Sequence, residues 1–222
     1  MKKSLSLIAI ATAVLAFTSV TTPAYAHSQL ETASPAINAE LKIAPKSVTL
    51  VFNEPVVVAA RGVQLLDAKG KQLAASGAVN AAVVKFTIPK LKAGRYVLRW
   101  RVVSADSHVI VASYAFAVAT PTKKAKPANV KLTDSNAAVN ATFDGNGPGL
   151  RNVSVALRGV EGVLELKNPL FGAPMLWTLT SSGETMVAKG MLPSAGTWTI
   201  TARVRVGQFD ERVVVGKLVV AP

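Results

Sequence analysis

The stretch RYVLRWRVV, Arg95–Val103, decides the fold class. Tyr96, Leu98, Trp100 and Val102 alternate with Arg95, Val97, Arg99 and Arg101. A period of two sends successive side chains to opposite faces of an extended chain. The stretch therefore reads as a half-buried strand, apolar side in and arginine side out. VTLVF, residues 48–52, has the same pattern, with Val48, Leu50 and Phe52 on one face. Turn residues part such runs at Ala68-Lys69-Gly70, at Ala93-Gly94 and in DGNGPG, residues 144–149. Many short strands between turn signals predict an all-β protein built as sandwiches. Beyond the first 26 residues no stretch has a helical period.

Downstream, ATPTKKAKPAN at 119–129 has two prolines, three lysines and no large apolar residue. That composition predicts a stiff, solvated linker. It divides the chain into a domain at 27–120, a linker at 121–127 and a second domain at 128–222, each of ordinary domain size. The halves echo each other. AGRYVLRWRVV begins at Ala93 and AGTWTITARVRV at Ala195, each an Ala-Gly turn followed by an aromatic and then arginines. The echo predicts a second β-sandwich rather than a tail.

Upstream, residues 1–26 read as an export signal: Lys2 and Lys3, an apolar run from Leu5 to Phe17, then the small-residue exit Ala24-Tyr25-Ala26. The run is short for a membrane span of about 20 residues. Cleavage is expected after Ala26, leaving a mature chain outside the cytoplasm with no membrane-spanning segment. The sequence has no cysteine, so disulfides, thiolate nucleophiles and thiolate metal ligands are all excluded. The formal charge of +13 raises nucleic acid or anionic membranes as partners. The basic residues are scattered, apart from Lys123, Lys124 and Lys126, and an exported chain rarely meets nucleic acid. A solvated surface is the expected reading, with weak attraction to an anionic envelope as the lesser one.

The chain has two histidines, and the expected cut makes one of them, His27, the first residue. Its α-amine and Nδ1 would then chelate one metal in a six-membered ring. The other lies in VSADSHVI, where Asp106 and His108 are two apart and project to one side of an extended chain. The segment falls between two predicted strands, in a loop fixed by a rigid scaffold. Three nitrogens and one oxygen suit tetragonal Cu(II), Ni(II) less well. Zinc prefers a tetrahedron. The amine, with an ordinary pKa of about 7.7–8.0, must lose its proton to bind. On spacing alone, a frayed end and a solvated D-x-H turn are the favoured reading, since a D-x-H triplet is a weak signal. The coincidence of signal exit and histidine favours the metal.

The segments HSQLETASPA, VTLVFNEPV, AGRYVLRWRVVSADSHVI and ASYAFAV, spanning residues 27–118, resemble the periplasmic copper-binding protein family CopC. The resemblance implies a Greek-key, immunoglobulin-like β-sandwich, Cu(II) as the bound ion, and His27, Asp106 and His108 as its ligands. Glu54, in FNEPV, matches a family glutamate near the site, with an orienting role or simple solvation as its two readings. Some members carry a methionine-rich Cu(I) site. Here residues 72–86 hold neither methionine nor histidine, and Met175, Met186 and Met191 are expected in the core of the second half. The segments DGNGPGLRNVSVALRGVEG and MLPSAGTWTITARVRVGQFDERVVVGKLVV resemble a YtkA-like domain, with Trp177 and Trp198 as core anchors. GNGPG lacks the strand-to-helix setting of a phosphate loop and reads as a turn. The resulting expectation is a periplasmic, non-enzymatic Cu(II) carrier or buffer serving a CopD-type inner-membrane transporter. The alternatives are a histidine-brace copper monooxygenase, as in lytic polysaccharide monooxygenases, and a metal-free surface module. A Ser104-His108-Asp106 hydrolase is disfavoured, since the three lie too close along one segment.

Overall fold

The structure is a computed structural model that describes residues 28–222; the expected export signal and His27 lie outside these residues. All regular elements in the described residues are strands. In chain order they are β1 (Leu30–Ser34), β2 (Glu40–Leu41), β3 (Ser47–Val58), β4 (Val63–Asp67), β5 (Gln72–Ala75), β6 (Val79–Thr87), β7 (Gly94–Val103) and β8 (Val109–Val118). After Pro121–Pro127 follow β9 (Ala128–Thr133), β10 (Ala138–Phe143), β11 (Gly149–Val155), β12 (Glu161–Lys167), β13 (Met175–Ser182), β14 (Thr185–Leu192), β15 (Gly196–Arg205) and β16 (Glu211–Val220). The expected all-β fold is what forms.

In the first half β3 lies between β1 and β6, while β7 lies between β4 and β8. The two groups meet at the pair Val57↔Val103. Their facing side chains make one core of Leu50, Phe52, Leu65, Leu98, Trp100, Tyr114, Phe116 and their neighbours. Rings tile it: Phe52 sits edge-on to Trp100, and Tyr96 stacks on Phe116. In the second half β12, β13, β15 and β16 pair in one group and β9, β10, β11 and β14 in another. Trp177, Trp198, Met175, Met186 and Met191 are all buried between them, the core roles expected of them. Gly190 on β14 has no side chain because the Trp177 ring lies against it; an added Cβ would stand 1.9 Å from a ring carbon.

The two hairpins foreshadowed by the Ala-Gly echo are the same object built twice. β7 and β8 pair over ten consecutive positions, Gly94↔Val118 to Val103↔Val109. β15 and β16 do likewise, Gly196↔Val220 to Arg205↔Glu211. In each, the aromatic near the strand start ties back to the turn before it. Tyr96 Oη donates to Lys92 O at 2.7 Å, and Trp198 Nε1 to Ser194 O at 3.3 Å.

Two expectations need correction. The arginine side of β7 is not all solvent. Val97 is fully buried, and Arg99 is half-buried with Nη1 on Phe171 O at 2.9 Å and Nε on Gln64 Oε1 at 3.1 Å. The second half covers this face, and its core takes in Leu66, Val97, Ala115 and Ala117 from the first. The segment between the halves is also not merely solvated. Its lysines are exposed, but Thr122 donates to Glu40 and accepts from Leu150 N, while Lys123 O accepts from Arg151. GNGPG does form a turn, curled round the buried Arg151, whose Nε donates to Gly147 O at 2.8 Å.

Candidate metal centre

Residues 104–108 turn the chain from β7 into β8, at one end of the first sandwich. Ser107 N donates to Ser104 O at 2.9 Å and Ser104 N to His108 O at 3.0 Å. Ser107 takes the left-handed conformation, φ 69°, to close this tight loop. The curl brings the two expected side chains into contact: His108 Nδ1 lies 2.8 Å from Asp106 Oδ2. Asp106 Oδ1 is occupied separately, accepting from Ser104 Oγ and from His108 N. One carboxylate oxygen is thus anchored and the other presented beside the imidazole. The Ser104 hydroxyl above all, with the imidazole and N–H of His108 adding, holds the Asp106 carboxyl well below the usual carboxylate range; desolvation opposes this.

Sequence reasoning weighed Ser104 only as a nucleophile and missed its contact with Asp106. The residue is buried at 3 % exposure, and its hydroxyl touches Asp106 and the His108 carbonyl, not the imidazole. No serine–histidine relay exists in this loop. The signal available was S-x-D, a short polar residue two before a carboxylate in a turn.

Glu54 belongs to the neighbouring strand. Between Val51↔Val83 and Val56↔Ala81, β3 advances five residues while β6 advances two. This bulge, which contains Pro55, re-aims residues 53–54, as bulges near sites do. Glu54 Oε1 accepts from Ser28 Oγ at 2.5 Å, and Asn53 Oδ1 accepts from Gln29 N at 2.7 Å. The chain just after position 27 is therefore fastened to β3, and the pair Val57↔Val103 joins β3 to β7 next to the 104–108 loop. No group of three or more metal-ligating side chains gathers among the described residues, and the third expected ligand, His27, lies outside them. Glu54 is accordingly not part of a three-residue cluster with Asp106 and His108.

Two donors 2.8 Å apart stand at the spacing of adjacent corners of a square about an ion with bonds of about 2.0 Å.

Similarity to known proteins falls on this same part of the chain. The family model described as CopC domain matches residues 30–119. The protein YobA of Escherichia coli K12 is 31 % identical over 113 residues, which cover 49 % of this chain and 91 % of that protein. Copper resistance protein C of Xanthomonas campestris pv. juglandis is 31 % identical over 121 residues, 50 % of this chain and 94 % of that one. The crystal structure of CopC from Methylosinus trichosporium OB3b aligns with 30 % identity over 44 % of this chain and 98 % of its own, at a TM-score of 0.39. Through its first half, with the β7–β8 hairpin and its loop inside the matched residues, this chain belongs to the CopC family.

Proposed function

We propose that the chain is an exported copper-binding protein that buffers or carries Cu(II) and catalyses no reaction. The ligands in this reading are the amine and Nδ1 of His27, the imidazole of His108 and Oδ2 of Asp106. The observation that carries it is the Asp106–His108 pair, held on a rigid ten-pair hairpin at the separation of neighbouring ligands. The Xanthomonas relative is named for copper resistance, which supports copper as the metal. Glu54, through Ser28, would steady the chain start so that His27 reaches the loop. Cleavage after Ala26, a periplasmic location, domains at 27–120 and 128–222 joined by 121–127, a YtkA-like second domain and a CopD-type membrane partner belong to the same reading. The first 26 residues would be the export signal, and among the described residues no helix is long and apolar enough to cross a membrane.

The test is N-terminal sequencing of the exported protein, followed by Cu(II) titration of wild type, His27→Ala and His108→Ala. A start at His27, one equivalent of copper and a loss of orders of magnitude in each variant are expected, since each loses a metal ligand. A start elsewhere, or equal affinity in His108→Ala, overturns the ligand set. Ascorbate-driven oxidation of a polysaccharide by the loaded protein would make it a monooxygenase instead.

A further inference from the structure

We propose that the end of the first sandwich opposite the metal loop is a docking surface for an anionic lipid bilayer. Three connections close this end: residues 42–46 before β3, residues 88–93 before β7, and the chain leaving β8 at Ala119. Lys42, Lys46 and Lys90 line one shallow concavity of about 500 Å³ there, with Ile43 among them and no acidic residue in its wall. Lys92 is exposed on the same connections. None of these four lysines is in an ion pair among the described residues. Glu40 accepts from Thr122, and Asp67 from the backbone N–H groups of Lys69 and Lys71, and neither acid lines the concavity. Ile43, in the same wall, is 84 % exposed.

The composition selects the partner. Protein interfaces favour arginine and aromatic residues and disfavour lysine. This end has flexible lysines and one protruding aliphatic side chain, which suits a fluid layer of phosphate headgroups with room for Ile43 between them. Near such a surface each lysine contributes about 1 kcal/mol, roughly fivefold in affinity. β7 spans the sandwich with ten residues, so the metal loop would stand about 30 Å from the bilayer, facing the solution. The inference does not depend on which metal, if any, that loop holds.

The experiment is co-sedimentation of the purified protein with vesicles of phosphatidylglycerol and phosphatidylcholine in equal parts, against vesicles of phosphatidylcholine alone. Lys42→Glu/Lys46→Glu/Lys90→Glu is compared with Lys131→Glu/Lys189→Glu/Lys217→Glu, exposed lysines of the second half that change net charge equally. All variants share one chain start, so any contribution of the first residues cancels. Expected are salt-sensitive binding to the anionic vesicles alone, a loss of about a hundredfold in the first variant and under about fivefold in the second. Ile43→Ser should weaken binding severalfold at unchanged salt sensitivity. Equal losses in the two triple variants, or no binding of wild type to anionic vesicles at low salt, overturn the proposal. Thermal unfolding checks folding, and lysine-to-glutamine changes at the same three positions replace a glutamate variant that does not fold.

Discussion

Ser104 bears on the metal loop without being one of its proposed ligands. Its hydroxyl occupies one oxygen of Asp106 and so fixes the direction of the other. Ser104→Ala should leave the fold intact, since it removes one hydroxyl from a turn. It should release the carboxylate to rotate and lift its pKa back toward the ordinary range. Cu(II) affinity is expected to fall about tenfold, on the order of a lost outer-shell hydrogen bond, and isothermal titration against a competing chelator would read it. Unchanged affinity would show that Asp106 needs no anchor. That Asp106 and His108 share one side of the chain could be expected from their spacing. The role of Ser104 could not, because it appears only once Ser107 closes the loop with a positive φ.

Among elements, the turn between β9 and β10 shows how charge fastens one strand group to the next. Asp134 accepts from Arg212 Nε on β16 at 2.7 Å and from the N–H groups of Asn136 and Ala137. The Arg212 bond first, then the two backbone bonds, draw the Asp134 carboxyl down to about 2. A carboxyl with a depressed folded-state pKa stabilises the fold above its unfolded value, near 3.9, and loses that contribution as pH falls through about 2. Asp134→Asn should therefore lower the denaturation midpoint at neutral pH and flatten the stability–pH curve between about 4 and 2. Urea titrations at several pH values would check it, and a variant with the wild-type slope would count against the assignment. Strand pattern was largely readable at this scale: β3, β7 and β15 follow the alternation of their residues. The bulge in β3 was not, because alternation does not count the residues of the strand opposite.

At the scale of the whole molecule, the halves are cemented rather than strung together. Met175 pairs with Ser113 across β13 and β8, Asn38 accepts from Met191 N at 2.8 Å, and Leu66, Val97, Ala115 and Ala117 are sealed by the second half. A fragment ending near residue 120 should bare these four. It should bind a hydrophobic dye and unfold at lower denaturant than the first half does within the whole chain. A fragment as stable as the whole would mean the contact adds nothing. This cover was illegible in the sequence. Arg99 looks like any solvent-facing arginine in an alternating strand, and the carbonyl that claims it, on Phe171, lies far along the chain. The proline- and lysine-rich connection gave no sign of how firmly its threonine would be gripped.

The twinned hairpins have an engineering corollary. Both span ten pairs, and five residues join each: SADSH at 104–108 and VGQFD at 206–210. The loops close differently, since Ser107 is left-handed and no residue of 206–210 is; one carries an imidazole and a carboxylate, the other Phe209, which is 91 % exposed. A chain with SADSH also grafted at 206–210 should still bind a single copper, because the recipient hairpin has no liberated amine beside it.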